Sequence, residues 1–125
     1  MDAPINVTLP AADMTRARDW YRDKLGLKPA EESPMGEALY ETGGTRFMLY
    51  PSPFAGTNQA TAAGFVVDDF DAEVAELRSN GVVFEEYDLG EGMATVNGVI
   101  TMPDGRKGAW FKDSEGNILA LTDEL

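Results

Sequence analysis

The stretch INVTLPAADMTRARDWYRDKLG, Ile5–Gly26, reads as one strand followed by one helix, and the fold turns on that reading. Ile5–Leu9 is short, apolar-rich and strand-like. Asp13 is placed to cap a helix, because its short carboxylate can accept from the free N–H groups of the first turn. Met14, Ala17, Tyr21 and Leu25 then recur at spacings of 3, 4 and 4 residues, which puts one apolar stripe on a helix face. Gly26 follows as a terminator.

The same grammar returns in AAGFVVDDFDAEVAELRSNG. Ala62–Val67 is the strand, Asp69 the cap, and Phe70, Val74 and Leu77 the apolar stripe, with Gly81 as terminator. Three strand-like runs follow each helix: Lys28–Glu32, Ala38–Glu41 and Thr45–Tyr50, then Val82–Tyr87, Gly108–Lys112 and Ile118–Thr122. GTRFMLY (Gly44–Tyr50) lies over GNILALT (Gly116–Thr122), and the longer second copy carries its extra residues in Asp88–Lys107. The expected architecture is α+β: two βαβββ modules forming a curved mixed sheet with outer helices. One domain over residues 1–125 is expected, with module 1 at about 1–55 and module 2 at about 60–125.

Composition narrows the chemistry. A chain of 125 residues buries about two thirds of its surface on folding, enough for a core without staples. It has no cysteine and no histidine, which removes disulfides, thiolate nucleophiles and imidazole bases or ligands. Ten Lys and Arg against 22 Asp and Glu give a net charge of -12. That field repels phosphate backbones and anionic lipid, so neither nucleic acid nor membrane is an expected partner, and it favours a cationic ligand. With no signal-like N-terminus and no long apolar run, a cytoplasmic location is expected.

The motifs NVTLPAADMTRARDWYRDKLGL, GFVVDDFDAEVAELRSNGV and AWFKDSEGNILAL, in this order, resemble the vicinal oxygen chelate superfamily. That superfamily includes glyoxalase I, extradiol dioxygenases, fosfomycin-resistance thiol transferases and bleomycin-resistance proteins. The resemblance implies a cleft formed by paired modules. In the metalloenzymes a divalent ion is held there by His, Gln or Glu from four strands. Carried over residue by residue, the ligand positions fall on Asn6, Met48, Ala62 and Ala120. Two are alanines, one is a soft thioether and one a single amide, so no metal and no cofactor is expected.

Strand alternation agrees with this register. Val7, Leu9, Phe47, Leu49, Phe65, Val67, Leu119 and Leu121 suit packing beneath helices. Their alternates Asn6, Thr8, Arg46, Met48, Tyr50, Ala62, Gly64, Ala120 and Thr122 are smaller or more polar and suit a cleft lining. Tyr40, Tyr50, Phe54, Trp110 and Phe111 are the aromatics expected at its border, with Trp110 and Phe111 on opposite faces. The ligand-binding set is therefore Asn6, Thr8, Arg46, Met48, Tyr50, Ala62, Trp110 and Ala120.

Other chemistry is thin. Asp69, Asp71 and Glu73 suit a helix N-terminus, Glu85, Glu86, Asp88 and Glu91 a solvated run or a rim for a cation, and Asp113–Asn117 a tight turn. No catalytic residue emerges; Glu37 and Glu41 are the remaining carboxylate bases, without a visible partner. The expected function is a metal-independent binding protein of the glyoxalase/bleomycin-resistance type, sequestering a planar or cationic small molecule. The resemblance further implies a homodimer. The alternative is a lyase, isomerase or dioxygenase-like enzyme with an altered mechanism.

Overall fold

Helix caps, strand alternation and two parallel pairings build the fold seen in the computed structural model, which describes residues 1–124. The chain divides into two compact units: Met1–Asn58 with Asp113–Asn117, and Gln59–Lys112 with the residues from Ile118 on. The α+β architecture of two βαβββ modules is observed, each module holding its own four-stranded mixed sheet.

In the first unit β1 (Val7–Ala11), β2 (Glu31–Glu32), β3 (Ala38–Thr42) and β4 (Thr45–Pro51) are ordered β1-β4-β3-β2. β1 runs parallel to β4, with Leu9 opposite Leu49, and β3 runs antiparallel to β4, with Tyr40 opposite Phe47. Helix α1 (Met14–Leu25) starts where the Asp13 carboxylate accepts from the Arg16 N–H at 3.0 Å. It ends at Gly26, whose φ of 70° is left-handed and whose N–H returns to the Arg22 carbonyl. Ala17 and Tyr21 are buried on its stripe. The Tyr21 ring meets Tyr40 at 5.7 Å and Phe47 at 5.6 Å, so α1 covers the Leu9, Tyr40, Phe47 and Leu49 face.

In the second unit β5 (Thr61–Val66), β6 (Ile100–Thr101), β7 (Lys107–Lys112) and β8 (Ile118–Thr122) are ordered β5-β8-β7-β6. β5 is parallel to β8, as β1 is to β4. Asp69 caps α2 (Phe70–Ser79) by accepting from the Ala72 N–H at 3.2 Å. Phe70, Val74 and Leu77 are buried, as their spacing predicts, together with Ala109, Phe111, Leu119 and Leu121.

Three expected strands move. The first begins at Val7 rather than Ile5, where its parallel pairing with β4 opens opposite Phe47. The run expected over Lys28–Glu32 shrinks to Glu31–Glu32. Pro29 has no N–H to give, and pairing opens at Ala30, whose N–H donates to the Leu39 carbonyl at 2.7 Å. Val82–Tyr87 forms no strand and is bridged to β7 at Phe84–Phe111, and β6 takes the rest of that edge.

The turn Asp113–Asn117 carries two buried carboxylates, and donors of the first unit satisfy both. Asp113 accepts from the Tyr21 hydroxyl at 2.6 Å, Asn117 Nδ2 at 2.8 Å, and the N–H groups of Glu115 and Asn117, both at 2.9 Å. Burial, then the Asp113 carboxylate, pushes the Tyr21 phenol well above its usual range. Glu115 accepts from Arg16 Nε at 2.8 Å, Arg16 Nη2 at 2.9 Å, the Asp13 N–H at 2.9 Å and Ser114 Oγ at 2.7 Å. These donors, Arg16 foremost and against the cost of burial, hold its carboxyl at about 2. Asn117 Nδ2 also reaches the Pro10 carbonyl, at 2.9 Å. Gly56 and Gly116 meet backbone to backbone: a Cβ on Gly116 would lie 2.9 Å from Gly56 Cα.

Two stability predictions follow from this unit. Glu115→Gln loses charge-assisted bonds to Arg16 and is expected to cost on the order of 1–3 kcal/mol in urea denaturation at neutral pH. A depressed carboxylate stabilises above its unfolded value and ceases to as pH falls through the folded one. The gap between wild type and variant should therefore close between 4.5 and about 2. Tyr40 is fully buried and its hydroxyl has no hydrogen-bond partner among the described residues. Burial, opposed by Arg18 and reinforced by Glu32, pushes its phenol up to about 12. Tyr40→Phe should stay within about 1 kcal/mol of wild type or exceed it, because no made bond is lost.

Candidate functional site

Alternation leaves one face of each sheet outside the buried layer, and the expected site residues fall on those faces. In the first unit Thr8, Met48, Leu39 and Glu31 form one row across β1, β4, β3 and β2. Tyr50, half-buried, lies two residues along β4, opposite Pro10. Met48 and Leu39 line a depression of about 270 Å³ with Glu31, Glu32, Ser33 and Glu37. Glu32 reaches Arg18 Nε at 2.8 Å, and Glu37 accepts from Ser33 Oγ at 2.8 Å. Arg46 shares the Met48 face but sits near the exposed end of the β3–β4 hairpin, 3.1 Å from Glu41.

In the second unit the outward row is Gly64, Ala120 and Trp110, on β5, β8 and β7. The half-buried Trp110 ring meets Tyr87 edge to face, with centroids 5.4 Å apart. Gly64, exposed, and Ala120, buried, put almost no side chain beside Trp110 on the β8 side. Tyr87 is held from behind: its N–H donates to Thr95 Oγ1 at 2.8 Å, and the Thr95 N–H donates to its carbonyl at 2.8 Å. Burial, then the charge of Glu85, raises the Tyr87 phenol. The Glu85 N–H donates to the Trp110 carbonyl at 2.7 Å, which fixes this segment alongside β7.

Not every expected residue joins these rows. Asn6 precedes β1 and is exposed; Thr8 is the residue beside Met48. Ala62 sits at a register shift between Thr61 and Ala63, so Gly64 rather than Ala62 lies beside Ala120. Tyr40 is in the core under α1 and Phe111 in the core of the second unit, so neither borders a ligand face. Phe54 is exposed in a loop. Tyr87 was missed by sequence reasoning. Its only signal was parity: with Phe84 buried, residues 85 and 87 face the other way.

The donor chemistry does not fit the divalent ion that the resemblance implies. Ala62 and Ala120 offer no lone pair, Met48 a thioether, and Asn6 lies outside the strand. The register neighbours Gly64 and Thr8 add one hydroxyl between them. Among the described residues no three His, Cys, Asp or Glu side chains are grouped to hold a metal ion.

The sequence matches the family model of the Glyoxalase/Bleomycin resistance protein/Dioxygenase superfamily over residues 5–121. The chain belongs to that superfamily. Solved structures agree on the fold. A glyoxalase/bleomycin resistance protein from Catenulispora acidiphila is 20% identical with a TM-score of 0.69, covering 97% of both chains. Lactoylglutathione lyase from Agrobacterium tumefaciens is 18% identical with a TM-score of 0.70, over 98% of this chain and 93% of that one. A fosfomycin resistance protein variant from Listeria monocytogenes, solved with Mn(II) and a dihydroxypropylphosphonic acid, is 12% identical with a TM-score of 0.67. That match spans 100% of this chain and 93% of the other. No curated protein matches the sequence. Among the described residues, no helix of this superfamily member is long and apolar enough to cross a membrane.

A Cβ added at Gly64 would meet Ala120 Cβ at 3.8 Å, ordinary van der Waals contact. The absence of a side chain at Gly64 is thus not required by packing. Gly64→Ala should fold with stability equal to wild type or up to about 1 kcal/mol higher by thermal melting, through a less entropic unfolded chain.

Proposed function

We propose that this chain is a metal-independent small-molecule binding protein, which sequesters a planar or cationic ligand against the aromatic-walled face at Trp110. The observation that carries the reading is the Trp110–Tyr87 ring pair, with Trp110 in one row with the small Gly64 and Ala120. Ligand sites are largely apolar, aromatic-walled and provided with few polar groups. A flat ring can lie on Trp110 where larger side chains in that row would exclude it. The net charge of -12 favours a cation over an anion. Trp110 and Ala120 take the ring in this reading. Thr8, Met48 and Tyr50 form the contact surface of the first unit, with Asn6 and Arg46 at its margins, and Ala62 stands at the margin of the second unit's row. The working form is a homodimer, as the family resemblance implies, and its place is the cytoplasm.

Titration with an aromatic cation such as N-methylquinolinium, followed by tryptophan fluorescence and calorimetry, tests the reading. Trp110→Ala and Tyr87→Ala are each expected to weaken binding roughly five- to tenfold while keeping a cooperative unfolding transition. If both variants stay folded and bind as wild type does, the site is elsewhere. Native mass spectrometry after incubation with Zn, Ni, Mn or Fe(II) should give a species of twice the 13.6 kDa chain mass without stoichiometric metal. One tightly held metal per chain would replace this reading with a metalloenzyme.

A further inference from the structure

Beside the ring pair lies a charge pair that the binding reading does not use. Phe84 turns into the core, its ring 5.7 Å from Phe111, so alternation sends Glu85 and Tyr87 to the Trp110 side of the segment. Lys112 follows Trp110 by two residues on β7 and shares its face. Its Nζ lies 3.8 Å from Glu85 Oε1, inside ion-pair range but beyond hydrogen-bond length. The Lys112 side chain is 54% exposed and the Glu85 side chain 32%. Such a loose, half-solvated pair contributes little and is cheaply exchanged. The ammonium therefore lies on the Trp110 face of β7, at a carboxylate that it does not saturate.

We infer, on the basis of the binding reading above, that Lys112 is a specificity-determining residue at the Trp110 site. Its ammonium is a resident cation on Glu85 that a ligand's own positive charge displaces. The ligand class is a fused heteroaromatic carrying one positive charge at its ring system. Such a ligand gains the ring face of Trp110 and the Glu85 carboxylate together, and releases Lys112 to solvent. A neutral ring of the same shape leaves the Lys112–Glu85 pair in place and gains only stacking. An anion meets the Glu85 carboxylate and is disfavoured.

The test compares N-methylquinolinium, neutral quinoline and naphthalenesulfonate against the full chain by calorimetry. The cation is expected to bind about tenfold more tightly than quinoline, and the sulfonate more weakly than either. Lys112→Met, which keeps the stem and removes the competing charge, should tighten cation binding about three- to tenfold and leave quinoline unchanged. Glu85→Gln should bring the cation down to the affinity of quinoline. Both positions lie at the surface, and circular dichroism of each variant checks that the fold is kept. If Lys112→Met leaves the cation's affinity unchanged or lowers it, or if the sulfonate binds as well as the cation, the inference is overturned while the binding site stands. Absence of binding by all three probes would instead remove the binding reading, and the inference with it.

Discussion

Two carboxylates in one five-residue turn set the geometry of the first unit. Buried carboxylates are destabilising unless their oxygens are satisfied, and Asp113 and Glu115 are each met by four donors. The donors come from the capping residue of α1, from its first turn, from its middle at Tyr21 and from the turn itself. The helix is thereby fixed in position along its length, which lets Tyr21 reach Tyr40 and Phe47 and closes the core below. Asn117 extends the hold to the β1 carbonyl of Pro10, and the Gly56–Gly116 approach extends it to the loop after β4. Lys112 and Ile118, which flank the turn, open the β7–β8 ladder in which Trp110 is opposite Ala120.

Much of this was legible in the sequence because it depends on local rules. Asp13 and Asp69 cap their helices for the reason that makes aspartate a good cap anywhere, and the buried stripes follow from helical spacing. What escaped depends on partners distant in the chain. DSEGN reads correctly as a turn, but nothing local says that its acidic residues are meant for Arg16 and Tyr21. Tyr40 and Tyr50 look alike as strand tyrosines. Register alone puts the first opposite Phe47 under α1 and the second opposite Pro10 on the outer face. The register shift after Thr61, which moves Ala62 out of the row, needs β8 to define it.

The site shows the same division. The missing donors at Met48, Ala62 and Ala120 are visible as residue types, since no folding can give an alanine a lone pair. The feature that replaces them is not visible in that way. Trp110 gains its neighbour from Tyr87 in a segment with hardly any ladder pairing, held by the Thr95 hydroxyl and by single backbone bonds. The second unit thus presents the small Gly64 and Ala120 beside an aromatic pair.

The parallel pairings also bear on how the chain acquires this structure. β8 is an inner strand, joined to β5 on one side and β7 on the other, so the second sheet has no middle until residues 118–122 exist. The first unit has all its strands by Pro51, yet the carboxylates that hold its helix arrive only with residues 113–117. Both halves are therefore completed by the same segment, residues 113–122. Non-local closure of this kind is slow and leaves apolar surface exposed in the interval. A net charge of -12 opposes association of like chains over that interval.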